Sequence, residues 1–151
     1  MFDLKKSKGT FKGLIGENMF KLANKEAILV RFFNKNKFIQ LFKTYLNKKQ
    51  INFLNYYWYS LDAIKINSKE IVLYEIKTKN KYKSKLFFKP KMTKSTHEMY
   101  ILAKKLGFKV KLTIVEFHEN WQYEIHINSL EEKDYCIDQI KKYDRKNPRS
   151  Y

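Results

Sequence analysis

A chain of 151 residues that is 44% hydrophobic and 17% aromatic holds enough apolar material for one packed core, and its four glycines and two prolines argue against disorder. Thirty-two lysines and arginines against 15 acids leave a formal charge of +17, which points to a polyanionic partner, most simply nucleic acid held through its phosphates. The lone Cys136 excludes an internal disulfide and a cysteine-built zinc site, and no apolar run approaches a membrane span.

These features, with an N-terminus lacking a signal-peptide core, predict a cytoplasmic protein with no membrane partner, folded as a single domain over 1–151. An AT-rich coding composition would also inflate lysine, but it does not explain why the acids fail to balance the bases.

Residues 1–11 form a basic lead-in. From Lys12 to about Val30 the spacing predicts a helix, with Ile15, Met19, Leu22, Glu26 and Leu29 on one face. The other face carries Gly13, Gly16, Glu17, Phe20, Ala23 and Ala27, small enough in places to bring a helix backbone close to a sheet. A start at Gly16 is the alternative. Glycine inside a helix costs about 1 kcal/mol against alanine, so two near its start imply a packing requirement.

A second helix is predicted from about Lys37 to Lys48, with Phe38, Leu41, Phe42 and Tyr45 sharing a face. Ile51 to Tyr59 is aromatic-rich and reads as β-prone.

Tyr59 to Lys79 then reads as two strands joined by the polar turn Asn67-Ser68-Lys69-Glu70. Centring the turn between Ser68 and Lys69 sets Ile66 opposite Ile71, Ile64 opposite Leu73, and Asp62 opposite Glu75. Opposed apolar pairs favour this register, and a one-residue slip would turn them to the wrong face. It also brings two carboxylates to within about 5 Å at Cβ, with Lys77 on the same side. Two acids and a lysine at one end of a hairpin suit a divalent-metal site.

Lys79, Lys81, Lys83 and Lys85 alternate next. Pro90 interrupts, and a helix is predicted from Thr93 or Ser95 to Leu106, closed by Gly107. Lys109 to Phe117 alternates as a strand, with Val110, Leu112 and Ile114 on one side. A turn at His118-Glu119-Asn120 leads to a return strand with Trp121, Tyr123, Ile125 and Ile127 on one face. Ser129-Leu130-Glu131-Glu132 resembles a capping box opening a helix to about Tyr143, and a basic tail follows. The expected fold class is α/β (α+β), a central mixed sheet flanked by helices, with its core at about 12–128 and a C-terminal helix and tail over 129–151.

Asp62 followed on the next strand by Glu75-Ile76-Lys77 resembles the core of the PD-(D/E)XK nuclease superfamily. Lys12-Gly13-Leu14-Ile15-Gly16-Glu17 is similar to the opening motif of its Holliday-junction-resolvase-like members. The resemblance covers roughly Lys12 to Phe117 and departs in three places. Leu61 stands where proline is common before the aspartate, the segment from Arg31 to Tyr56 is long, and the helix after the lysine strand offers Thr96, His97 or Glu98 where many members place glutamine.

The resemblance implies a restriction-endonuclease-like core and Mg²⁺-dependent hydrolysis of DNA by a homodimer, with Mn²⁺ able to substitute. It assigns Asp62, Glu75 and the Ile76 carbonyl as metal ligands, Lys77 to the attacking water, and Glu17 to an assisting role. Oxygen donors suit Mg²⁺, which can lower the pKa of a bound water and offset phosphate charge. A structure-selective, resolvase-like nuclease is the first expectation. A homing or restriction-type enzyme on duplex DNA is the alternative, and a catalytically dead nucleic-acid-binding protein is the reading of another class.

Lys79, Lys81, Lys83, Lys85, Lys89, Lys91 and Lys94 begin where the proposed site ends and suit the phosphate backbone. The same run would also serve as a protective edge. Tyr82, Phe87, Phe88 and the Tyr56-Tyr57-Trp58-Tyr59 cluster are aromatic enough to stack on bases, though most read as core. His118 and His126 read as surface residues, and His97 as the one histidine placed to meet substrate.

Overall fold

The computed structural model describes residues 9–80, 92–118 and 122–130. Helix α1 (Gly9–Ala23) leads to the short strand β1 (Ile28–Leu29), then α2 (Lys35–Phe42) and α3 (Lys48–Tyr57). Strands β2 (Ala63–Ile66) and β3 (Ile71–Asn80) follow, then α4 (Lys94–Lys105), β4 (Lys109–Phe117) and β5 (Tyr123–Ser129). The five strands form one mixed sheet in the order β1-β2-β3-β4-β5, antiparallel except where β3 runs parallel to β4. A parallel neighbour needs a long crossover, and α4 lies within it. Among the described residues no helix is long and apolar enough to cross a membrane.

The hairpin register is the one its apolar pairs dictate, with Ile66 opposite Ile71 and Ile64 opposite Leu73. The turn is held by Asn67, whose Oδ1 accepts from the N–H groups of Lys69 and Glu70 at 2.9 and 3.0 Å. Alternation along β3 then sends successive side chains to opposite faces. Ile71 and Leu73 join the larger core with Phe38, Phe53, Leu54, Trp58, Met99 and Tyr100 from α2 to α4. Val72, Tyr74 and Ile76 join a smaller core with Phe20 of α1, Val115 and Phe117. Helices therefore cover both faces of the sheet, as expected of an α/β protein.

The first helix starts earlier and ends sooner than its spacing predicts. At Ala23 the chain turns, with Asn24 donating both its backbone N–H and its side-chain amide to the Phe20 carbonyl. Leu29, which continued the helical period, instead pairs with Ala63 as part of β1. The stripe carrying Gly16 and Phe20 is the one that meets the sheet, as its small residues suggest. Leu22, on the other face, is 67% exposed.

Ile51 to Tyr59, expected as a strand, is mostly the helix α3. Asn47 and Gln50 form a reciprocal capping box that starts it. Phe53, Leu54 and Trp58 then fall at helical spacing into the core, so burial overrides β propensity. The second predicted helix is cut short. Lys43–Tyr45 winds as a 3-10 turn, and Leu41 and Tyr45 from its expected buried face are exposed. By contrast, α4 begins at its Thr93 cap and β4 spans the expected residues. Gly107 has a φ of +96°, a conformation that suits glycine after a helix. Of the predicted helix over 129–143, Ser129 is the last residue of β5 and Leu130 follows it; its remainder, the basic tail, Trp121 and the Glu119-Asn120 part of the turn lie outside the described residues.

Gly16 answers the packing question raised by the sequence. A Cβ added there would lie 2.1 Å from Thr78 Cγ2 on β3, while one added at Gly13 meets nothing within 4 Å. Threonine is stiff at χ1, so Thr78 yields poorly. Gly13→Ala should therefore stabilise the protein by about 0.5–1 kcal/mol through helix propensity. Gly16→Ala should destabilise it by about 1–3 kcal/mol. Adding Thr78→Ser, which removes the clashing methyl, should recover much of that loss in a denaturant double-mutant cycle.

Candidate active site

The site forms where the β2–β3 ladder stops. The last pair is Ala63 with Tyr74, so Asp62 stands one residue beyond the paired strand and next to β3. Its backbone carbonyl accepts from Val30 N–H at 3.0 Å, which ties it to β1. Its side chain takes over the role of a missing strand partner, Oδ2 accepting from Ile76 N–H at 2.8 Å. The N–H and C=O of one strand residue point to the same side, so the Ile76 carbonyl is directed towards this end as well.

Glu75 is 6% exposed and lies on the face of β3 that packs against α4. Tyr100 of α4 donates its hydroxyl to Glu75 Oε2 in a short hydrogen bond. Lys77, two residues along β3, places Nζ 3.2 Å from Glu75 Oε1. From the opposite face, α1 brings Glu17, whose Oε2 is 2.8 Å from Nη1 of Arg31 in the 3-10 turn after β1. The tight approach at Gly16 puts the neighbouring Glu17 at this end of the sheet.

Electrostatics shows that these groups share one environment. Burial is the main cause pushing Asp62 up to about 7, and the negative charges of Glu75 and Glu17 add to it. The Ile76 N–H and the Lys77 ammonium oppose that rise. Glu17 is also raised above the usual carboxylate range, first by burial and then by Glu75, against the pull of Arg31. Three carboxylates at a desolvated strand end, offset by one lysine and one arginine, carry excess negative charge. A divalent cation would relieve it, and an all-oxygen set from Asp62, Glu75 and the Ile76 carbonyl fits Mg²⁺.

The other residues singled out from sequence fare unevenly. Lys79 lies in β3 opposite Glu116 of β4. Lys94 opens α4 and sits 3.7 Å from Glu98, an exposed pair within one helix turn. Lys81, Lys83, Lys85, Lys89 and Lys91 lie outside the described residues, as do Tyr82, Phe87 and Phe88. Thr96 is engaged in the helix cap with Thr93. His97 is only 2% exposed, three residues before Tyr100, so its ring reaches a substrate only if its surroundings move. In the aromatic cluster Trp58 is buried, while Tyr56 and Tyr59 are exposed.

Two residues that sequence reasoning passed over matter here. Tyr100 falls on α4 at core spacing, and its hydroxyl is what distinguishes it from packing. Arg31 carries no local signal, since its partner is 14 residues away on another element. Tyr100→Phe leaves a buried carboxylate oxygen short of a donor and should cost about 1–3 kcal/mol of stability. Were Glu75 to hold Mg²⁺, the same positioning change should weaken that binding about 10–100-fold, measured by titration calorimetry. A purely structural role would leave the Mg²⁺ affinity of the folded variant unchanged. Compared with known proteins, the chain matches no family model and no curated protein.

Proposed function

We propose that this chain is a Mg²⁺-dependent endonuclease that hydrolyses phosphodiester bonds in DNA, selective for branched structures. The observation that carries this reading is the meeting of Asp62, Glu75 and Lys77 at one strand end, with Glu17 supplied from the opposite face. The net charge of +17 suits a polyanionic substrate.

Asp62, Glu75 and the Ile76 carbonyl would hold the ion. When bound, the ion supplies charge neutralisation at the scissile phosphate and a more acidic water. Tyr100 and Lys77 keep the Glu75 carboxylate in place from two sides. Lys77 Nζ orients the attacking water and offsets charge that develops on the phosphoryl oxygens. Glu17, held by Arg31, adds an acceptor for a water of the same site. Mn²⁺ substituting for Mg²⁺, and a homodimer with one strand cut by each subunit, belong to the same reading.

The test is cleavage of labelled four-way junctions and linear duplexes with Mg²⁺, by wild type and by Glu75→Ala. Junction cutting that Glu75→Ala abolishes supports the proposal. Site-specific duplex cutting would select the homing or restriction alternative. Tight binding of DNA with no cutting of any substrate would select the non-catalytic binding protein, which the positive charge alone also suits.

A further inference from the structure

A second group of ligating side chains gathers at the turn end of the β4–β5 hairpin. Glu116 stands directly opposite Glu124, and Ile114 opposite His126. Alternation along each strand places His118 on the Glu116 side and His126 on the Glu124 side of one face. Ligating atoms of Glu116, Glu124 and His126 all lie within 4.8 Å of one another. His118 Nε2 is 3.4 Å from Glu116 Oε1 and 3.7 Å from Glu124 Oε1. His126 Nε2 is 3.5 Å from Glu124 Oε2. The His118 nitrogen is shielded from water and makes no hydrogen bond among the described residues, although it points at two carboxylates.

We propose that Glu116, His118, Glu124 and His126 bind a divalent transition-metal ion of the Zn²⁺ class. Ligands about 2.1 Å from a tetrahedral ion lie about 3.4 Å apart, which is the spacing these donors already approach. Two imidazoles with two carboxylates form a borderline nitrogen–oxygen set that favours Zn²⁺ or Co²⁺ over Mg²⁺, which prefers oxygen alone. Glu116 is 8% exposed and anchors the group, while Glu124 and His126 are exposed and leave a way in. The ion would hold β5, the last strand in the sheet order, against β4 beside the turn that joins them. This site differs in donors and strands from the one built on Asp62 and Glu75, and it does not depend on the nuclease reading.

The full chain, freed of metal by a chelator, is titrated with Co²⁺ and Zn²⁺ both as wild type and as Asp62→Asn. Asp62→Asn should bind one tight equivalent, with the intense visible absorption of four-coordinate Co²⁺ and a metal-dependent rise in melting temperature, and wild type should show the same band. His126→Ala and Glu124→Gln should each weaken binding by more than about tenfold and remove the Co²⁺ band. Both positions are exposed, and circular dichroism of the metal-free variants checks that they fold. No Zn²⁺ binding by wild type, or unchanged binding in His126→Ala, would overturn the proposal and leave ordinary imidazole–carboxylate pairs.

Discussion

Asp62→Asn is expected to abolish the proposed Mg²⁺-dependent cleavage, by about 10³-fold or more, while raising the melting temperature of the metal-free protein at pH 8. The two effects have one cause. Asp62 is half-buried beside Glu75 and Glu17, so its carboxylate is disfavoured in the absence of a cation and its pKa rises to about 7. A carboxyl group raised in the folded state binds its proton more tightly there than in the unfolded chain. Its contribution to stability is therefore greatest below its ordinary pKa, declines as pH rises to about 7, and is flat above that. Three pH units correspond to at most about 4 kcal/mol.

Asparagine removes the charge yet keeps an oxygen that can accept from Ile76 N–H. The stability difference between variant and wild type should thus be small at pH 4 and largest above pH 7. Mg²⁺ should stabilise wild type and leave the variant unmoved. Proton and ion compete for Asp62, so Mg²⁺ affinity should climb as pH approaches 7. Parallel thermal melts at pH 4, 6 and 8, with and without Mg²⁺, measure all of this. Equal stability differences at every pH would show that Asp62 does not stand in a crowded negative site.

Lys77→Ala is expected to lower kcat about 10²–10³-fold while the folded variant still binds Mg²⁺. Its ammonium is a partner of Glu75, not a ligand, so its loss removes charge stabilisation without removing a donor. It also lowers the pKa of Asp62, so without it the pH midpoint of Mg²⁺ binding should move upward. Glu75→Ala should lose both binding and cleavage. Calorimetry and single-turnover cleavage across pH separate the two variants. Undiminished cutting by Lys77→Ala would remove Lys77 from the mechanism.

The hairpin was legible because its information is local. Apolar pairs two residues apart and a four-residue polar turn leave one workable register, and that register carries Asp62 towards Glu75. Helix α4 was legible for a similar reason, since a threonine cap and a glycine stop bracket it. Helix α3 was misread because aromatic residues suit strands and helix cores equally, and the deciding cap at Asn47 precedes the segment. The end of α1 was misread because the helical period ran on past Ala23 into residues that pair with β2. His118 and His126 read as surface residues because their grouping with Glu116 and Glu124 depends on antiparallel pairing across the hairpin.

Sequence by itself determined the hairpin and its register, since both follow from short-range alternation along two adjoining strands, and that register sets Asp62, Glu75 and Lys77 near one end of it. Only the tertiary structure decided that Gly16 lets α1 approach Thr78, bringing Glu17 and Arg31 in from one face while Tyr100 secures Glu75 from the other. The reason is physical: a side chain's burial, partners and proton affinity depend on which elements pack against it, and those lie far away along the chain.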